Sequence, residues 1–287
     1  EGEIFGTANI FHASPRSDAV VHWVRGGVYP RADQEPVIAE FPRTGDLLAP
    51  AALLGHVAPA GVMLARHSQG GRAGELTLYH AEFNPHRIMR LPLRAIGSTY
   101  RGEPEVFALS LDPNVHFTDV LEDADGSLLV IDTGAWFRIG CPTSGVARPE
   151  ILGRVLRIRA PNTNVVADPR GLALPWDRLD AAGLSKLLGD SRPVVRDRAV
   201  ATLARIGDAA VPALRTALRT EAYLSRSNAV WTLTRIATPA AQAALRLALD
   251  DRDARVRQAA CHGAGLTADR AAVGALISRL SDGSAFV

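Results

Sequence analysis

Seven of the eight histidines in this 287-residue chain lie before residue 117, in the company of Asp, Asn, Arg and Trp. His116 and Asp119 stand close enough to act as a base and the acid that orients it. His80 and His86 flank the Asn84–Pro85 pair in an expected loop, and Asp132, Trp136 and Arg138 follow within one short stretch. Imidazole changes charge near neutral pH, so such a set suits general acid–base work on a polar substrate. His116 and Asp119 are therefore the candidate catalytic residues. His56, His80, Asn84, His86, Asp132, Trp136 and Arg138 are the candidate substrate contacts. An aspartate at a strand start also hydrogen-bonds backbone amides, and both roles stand open for Asp119. His80 and His86 have no third ligand with which to form a zinc-type centre, so no metal is expected. Cys141 sits in a loop without a base to activate it.

These side chains need elements to hold them, and residues 116–134 provide the clearest one. Val120 and Leu121 run into the acidic turn from Asp123 to Gly126, and Leu128 to Ile131 run back, with Gly126 at the position that demands a positive φ. Asp123 and Asp125 resemble half a calcium loop, but no glutamate follows at the twelfth position, which leaves the hairpin turn.

Residues 56–91 repeat the phrases of residues 116–158 in the same order. His56 and His116 each open a segment, GlyGluLeuThrLeuTyrHis (74–80) matches GlySerLeuLeuValIleAsp (126–132), and ArgIleMetArgLeu (87–91) matches ArgValLeuArgIle (154–158). Residues 136–153 read as an inserted loop. Repeated antiparallel sheets of this kind are the mark of propeller blades, which protect their edges by closing radially. In such a blade the first strand starts where the second ends, which places the candidate residues on one face.

The chain changes character near residue 165. Residues 161–171 have the Pro, Asn and Gly content of a linker, and Ala, Leu and Arg then recur with helical spacing. Residues 195–206 return at 225–236 and, more loosely, at 256–266, periods of 30 and 31. Ala199, Leu203 and Ile206, like Ala229, Leu233 and Ile236, form one apolar helix stripe. Second helices are expected at Val211–Leu218, behind Pro212, and at Ala240–Leu249. The pattern from Asp190 to Leu203 resembles HEAT-type repeats, which implies an α-solenoid over 184–283 that binds protein partners. The expected fold is thus mixed: a partial β-propeller of about two blades (1–165), a linker (166–183) and a helical solenoid.

Composition narrows the function classes. Of 32 basic residues only Lys186 is a lysine, a bias typical of a GC-rich genome; the net charge of +2 argues neither for DNA nor for a membrane surface, and no nucleic-acid partner is expected. Residues 186–283 carry 15 basic and 9 acidic side chains, but they interleave as a solvated repeat edge does. No segment approaches the roughly 18 consecutive apolar residues of a membrane span. Cys141 and Cys261 lie in different parts of the chain and form no disulfide framework. Cys261–His262 resembles the end of a c-type haem site, but Gln258 stands where a cysteine is needed, so no covalent haem is expected.

Residues 1–9, 21–30, 83–90 and 136–144, together with the hairpin phrase, resemble the membrane-bound dehydrogenase-type proteins of Planctomycetes and related bacteria. In that family a glucose or sorbosone dehydrogenase-like propeller precedes HEAT repeats, often with a C-terminal cytochrome c domain. The resemblance implies a periplasmic or secreted protein of which this chain is a fragment. It implies oxidation of a sugar or related alcohol, with hydride passing to pyrroloquinoline quinone and electrons onward to a cytochrome c. The related soluble enzymes offer the anionic quinone one Lys and two Arg; Asn84, His116 and Thr118 occupy the matching positions here, which forfeits charge-assisted hydrogen bonds. A non-catalytic carbohydrate- or protein-binding propeller joined to a scaffold is the alternative.

Overall fold

The computed structural model describes residues 2–13, 16–30, 35–40, 42, 45–67, 76–136, 147–159 and 166–287. The chain forms two compact units, one of residues 3–164 and the other of residues 165–287 with residues 1–2.

Among the described residues the first unit holds three antiparallel sheets, none of which closes on itself. Strands β1 (Phe5–Ala13), β2 (Arg16–His22) and β3 (Ala52–Gly55) pair in that order, and the short helix α1 (Glu35–Ala39) lies between β2 and β3. The second sheet runs β4 (Pro59–Leu64), β5 (Leu76–Glu82), β6 (Arg87–Ile96) and β7 (Thr99–Arg101), and β8 (Glu105–Leu109) also pairs with β6. In the third, β10 (Leu128–Asp132) lies between β9 (Phe117–Glu122) and β11 (Arg154–Ile158).

The turn at 123–126 forms as its residues dictate. Gly126 has φ 81°, its amide donates to the Asp123 carbonyl, and Asp125 Oδ1 accepts the Ser127 amide at 3.0 Å. Two departures from the sequence reading stand out. Residues 5–55 build a further sheet in addition to the two that the repeated phrases mark. They carry none of those phrases, and every β2 residue after Arg16 is buried, so no polar–apolar alternation signals the strand. His80 also falls inside a strand rather than a loop, because the β5–β6 ladder continues through His80–Met89 to Glu82–Arg87.

Between the second and third sheets lies an apolar core of Tyr79, Ala81 and Ile88 against Val115, Phe117, Val120, Leu128 and Val130, all buried. Each fully buried Val, Ile or Phe there stabilises the pairing by about 1.5–3 kcal/mol. The sheets meet closely where β4 passes β9. A Cβ on Gly61 would fall 1.9 Å from Asp119 Oδ1 and 2.8 Å from its Cα, so only glycine fits. The first sheet is tied to the second by polar groups. Asp18 Oδ2 accepts the Val57 and Ala58 amides at 2.8 and 2.9 Å, and Thr7 Oγ1 donates to the Ala60 carbonyl at 2.6 Å.

The second unit is helical. After α2 (Ala181–Lys186), long helices α3 (Pro193–Ile206), α5 (Tyr223–Ile236) and α7 (Ala254–Leu266) alternate with short ones, α4 (Val211–Ala217), α6 (Pro239–Leu245) and α8 (Val273–Arg279). Pro193, Pro212 and Pro239 each occupy a first turn, where a missing N–H costs nothing. Ala199, Leu203, Ala229 and Leu233 are buried in one continuous core. Ile206 departs from its expected stripe and is 38% exposed, since α3 ends there and turns away through Gly207.

An arginine ladder locks the repeats. Arg226 donates through Nη1 to the Thr220 and Glu221 carbonyls, and its Nε and Nη2 grip both oxygens of Asp251 at 2.8 and 3.0 Å. One repeat later Arg257 donates to the Asp251 carbonyl and holds Asp282 through two bonds of 2.8 Å. Arg196, the first rung, donates to the Asp190 and Ser191 carbonyls. Side chains of Arg226 and Asp251 are 4% and 8% exposed, and removing one partner of such a pair strands the other charge. Arg226→Ala is expected to destabilise the helical unit by about 3–5 kcal/mol, read from its helical circular-dichroism transition in denaturant.

The Arg257 guanidinium, then the Ser284 amide, bring the Asp282 carboxyl down from 3.8 to about 2. A carboxyl that binds its proton less readily when folded contributes stability above its unfolded value and loses it as the pH falls through the folded one. Thermal melts of the helical unit should therefore weaken between about pH 4 and pH 2, and Asp282→Asn should flatten that part of the profile.

Candidate functional site

His116 sits at the entry to β9, opposite the end of β10, where Asp132 takes control of the backbone. This carboxylate is 3% exposed, and its Oδ1 accepts the His116 and Gly134 amides, both at 2.9 Å. Its Oδ2 accepts Arg154 Nε at 3.1 Å. The loop closes further as the Thr133 amide donates to the His116 carbonyl at 3.0 Å. With that loop in place, His116 Nδ1 lies 2.9 Å from the Gly134 carbonyl. A carbonyl can only accept, so Nδ1 carries the proton, and in the neutral form of the ring Nε2 is the acceptor.

His86 is set the same way from the other side. It adopts φ 55°, an uncommon left-handed conformation for a residue with a side chain, in the turn that joins β5 to β6. Its Nδ1 donates to the Val115 carbonyl, so its Nε2 too is left as an acceptor. The two imidazoles meet edge to face with centroids 5.2 Å apart, and Phe83 stacks on His116 at 4.5 Å. A relay of backbone bonds seats Phe83. Asp18 holds the amides of Val57 and Ala58, whose carbonyls accept the Asn84 and Phe83 amides at 3.2 and 3.1 Å.

The structure thus brings together His86, Asn84, His116 and Asp132 from the expected set, and adds Phe83 and the Gly134 and Val115 carbonyls. Asp119 takes the second of the two roles open to it, that of an acceptor for a backbone amide. Its carboxylate lies against Gly61 and accepts the Val120 amide at 2.8 Å, and the group that orients His116 is the Gly134 carbonyl. His80 lies inside the sheet, fully enclosed, with Nε2 3.1 Å from Glu82 Oε1, and Glu82 also accepts Arg87 Nε. His56 is exposed immediately before Val57, and Trp136 is 52% exposed beyond the loop. Arg138 and Cys141 fall outside the described residues. Cys261 is partly buried in the helical core, and desolvation raises its thiol above the ordinary value, which makes it less reactive.

The corner presents acceptor nitrogens and an aromatic face, with little net charge. Arg154 is matched by Asp132 and Arg87 by Glu82, while Thr118 Oγ1 lies 3.5 Å from the Ile131 carbonyl. A tricarboxylate quinone needs cations that are free to meet it. The described residues here do not fit that group. Among the described residues, no cluster of three His, Cys, Asp or Glu could hold a metal ion.

Comparison with known proteins gives the helical unit its class: residues 181–263 match the model of HEAT repeats. No curated protein matches the chain. Human deoxyhypusine hydroxylase, solved in complex with glycerol, is 28% identical over 37% of this chain and 39% of that one, with a TM-score of 0.32. A protein of Thermus thermophilus named as a putative oxidoreductase (glucose dehydrogenase) is 21% identical over 54% of this chain and 41% of that one, with a TM-score of 0.35. The chain therefore spans about two fifths of the length of each. The likeness to the second is weak and distant. No helix among the described residues is long and apolar enough to cross a membrane.

Asp132 carries the loop that aims His116. Asp132→Ala leaves two buried amides without an acceptor and should destabilise the sheet unit by about 2 kcal/mol. Long-range ¹H–¹⁵N spectra are expected to show His116 as the Nδ1–H tautomer in the parent and as an exchanging mixture in the variant.

Proposed function

We propose that the sheet unit is part of a β-propeller that binds a sugar or related polyhydroxylated alcohol at the His86–His116–Asp132 corner, and that the chain belongs to an oxidoreductase of that substrate class. The observation that carries the reading is the pair of imidazoles whose Nδ1–H groups are both spent on backbone carbonyls. Each Nε2 is left to accept a hydroxyl proton, which is what binding and then oxidising a C–OH group requires of the protein. The ring faces of Phe83 and His116 give an apolar surface beside those acceptors, suited to the C–H side of a sugar ring. Within this reading His116 is the catalytic base, and His86 and Asn84 contact substrate. Asp132 and Gly134 are positioning groups. The acceptor of the hydride lies outside this corner, electrons pass onward to a cytochrome c, and the protein works in the periplasm or is secreted. The HEAT repeats dock a protein partner, the commonplace use of stacked helical pairs.

A second reading is favoured by the charge balance of the corner. Because Arg154 and Asp132 neutralise each other, the site suits neutral hydroxyls without supplying a charge for chemistry, as in a carbohydrate-binding propeller on a scaffold. Titration calorimetry with a panel of sugars and polyols, run beside dye reduction with an artificial electron acceptor, separates the two. His116→Gln is expected to lower dye reduction by about a hundredfold or more and to weaken sugar binding by a much smaller factor. Sugar binding without any dye reduction would leave only the binding module, and no binding at all would sink both.

A further inference from the structure

We infer that the end face of the helical unit, formed by Cys261, Leu276, Leu280, Ala285 and Val287, is built to receive a fourth helical pair of the same repeat type, and that Asp282–Val287 is its opening turn. Positions 31 residues apart correspond between the later repeats: Cys261 with Val230, Leu276 with Leu245, Leu280 with Leu249, and Val287 with Val256. In the earlier copy all four are buried, at 0%, 1%, 1% and 0% exposure. Leu245 reaches α7 directly, since a Cβ on Gly263 would fall 2.9 Å from its Cδ1. Leu245 and Leu249 are thus the residues through which one repeat grips the first helix of the next. Their counterparts line an open groove of about 390 Å³, and Leu280 is 86% exposed.

The opening turn is already in place. Arg257 holds Asp282 as Arg226 holds Asp251, each through Nε and Nη2. Asp282 Oδ1 accepts the Ser284 amide at 2.9 Å, as Asp251 accepts that of Asp253 and Asp190 that of Arg192. In all three cases a valine follows five residues after the aspartate: Val195, Val256 and Val287. Val195 and Val256, each at 0% exposure, belong to the first helix of a repeat. The groove therefore fits an amphipathic helix that enters at Val287 and sets a small residue against Leu276, as Gly263 stands against Leu245.

The test extends the full chain after Val287 with a copy of residues 257–281, which continues the register set by Asp282. The added segment should fold: ellipticity at 222 nm per residue should rise, and trypsin should cut the new arginines about tenfold more slowly or better than in the same extension carrying Leu280→Asp. Leu280→Asp in the parent chain, where the residue is exposed, serves as the control and should melt as the parent does. An added segment that is cut equally fast with and without the Leu280→Asp substitution overturns the inference. So does a parent chain that dimerises in sedimentation experiments and becomes monomeric with Leu280→Asp, because a second copy would then be the occupant.

Discussion

Carboxylates that accept backbone amides at the ends of elements are the interaction on which both units depend. An element end leaves N–H groups without partners, and a buried amide left alone costs as much as a lost hydrogen bond. Asp18 satisfies two such amides at Val57 and Ala58, Asp132 two at His116 and Gly134, and Glu122 those of Arg66 and His67. In the helical unit Asp190, Asp251 and Asp282 each take the amide two residues on. The acceptors are short, charged and mostly buried, so each fixes the course of the chain at one point rather than adding diffuse stability.

The character of the candidate site follows from that constraint. Asp132 is consumed by backbone and by Arg154, and what reaches His116 is a carbonyl dipole rather than a full charge. The Nδ1 contact with that carbonyl holds the ring in one orientation, with Nε2 turned away from the backbone. The left-handed backbone of His86 is a local cost, met by the paired strands on either side of its turn.

In the helical unit the same chemistry works along one dimension. Each repeat contacts only its neighbours, so an arginine that ties its own turn to the aspartate of the next repeat transmits register from one pair to the following one. Thr220 occupies the position of the ladder aspartate before the second repeat, and Arg196, like Arg226 and Arg257, donates to carbonyls at the start of its own repeat. Such a stack needs no distant contacts to stay in register.

Much of this was legible in the residues. The 123–126 turn, the paired phrases of the second and third sheets and the helical periods depend on neighbours in sequence, and local chemistry determined them: a glycine at positive φ, prolines in first turns, apolar spacing of two or of three and four. His116, Asp132, Asn84 and His86 could be grouped because strand ends alternate between two faces. The first sheet was not counted as a further blade because it carries none of the repeated phrases, and a strand buried along its length shows no alternation. The burial of His80, the stacking of Phe83, the close passage of Gly61 over Asp119 and the choice of Gly134 rather than Asp119 as the partner of His116 were decided only by tertiary structure. They depend on distances between sheets, and a sequence carries periodicity along a strand but no measure of the gap across it.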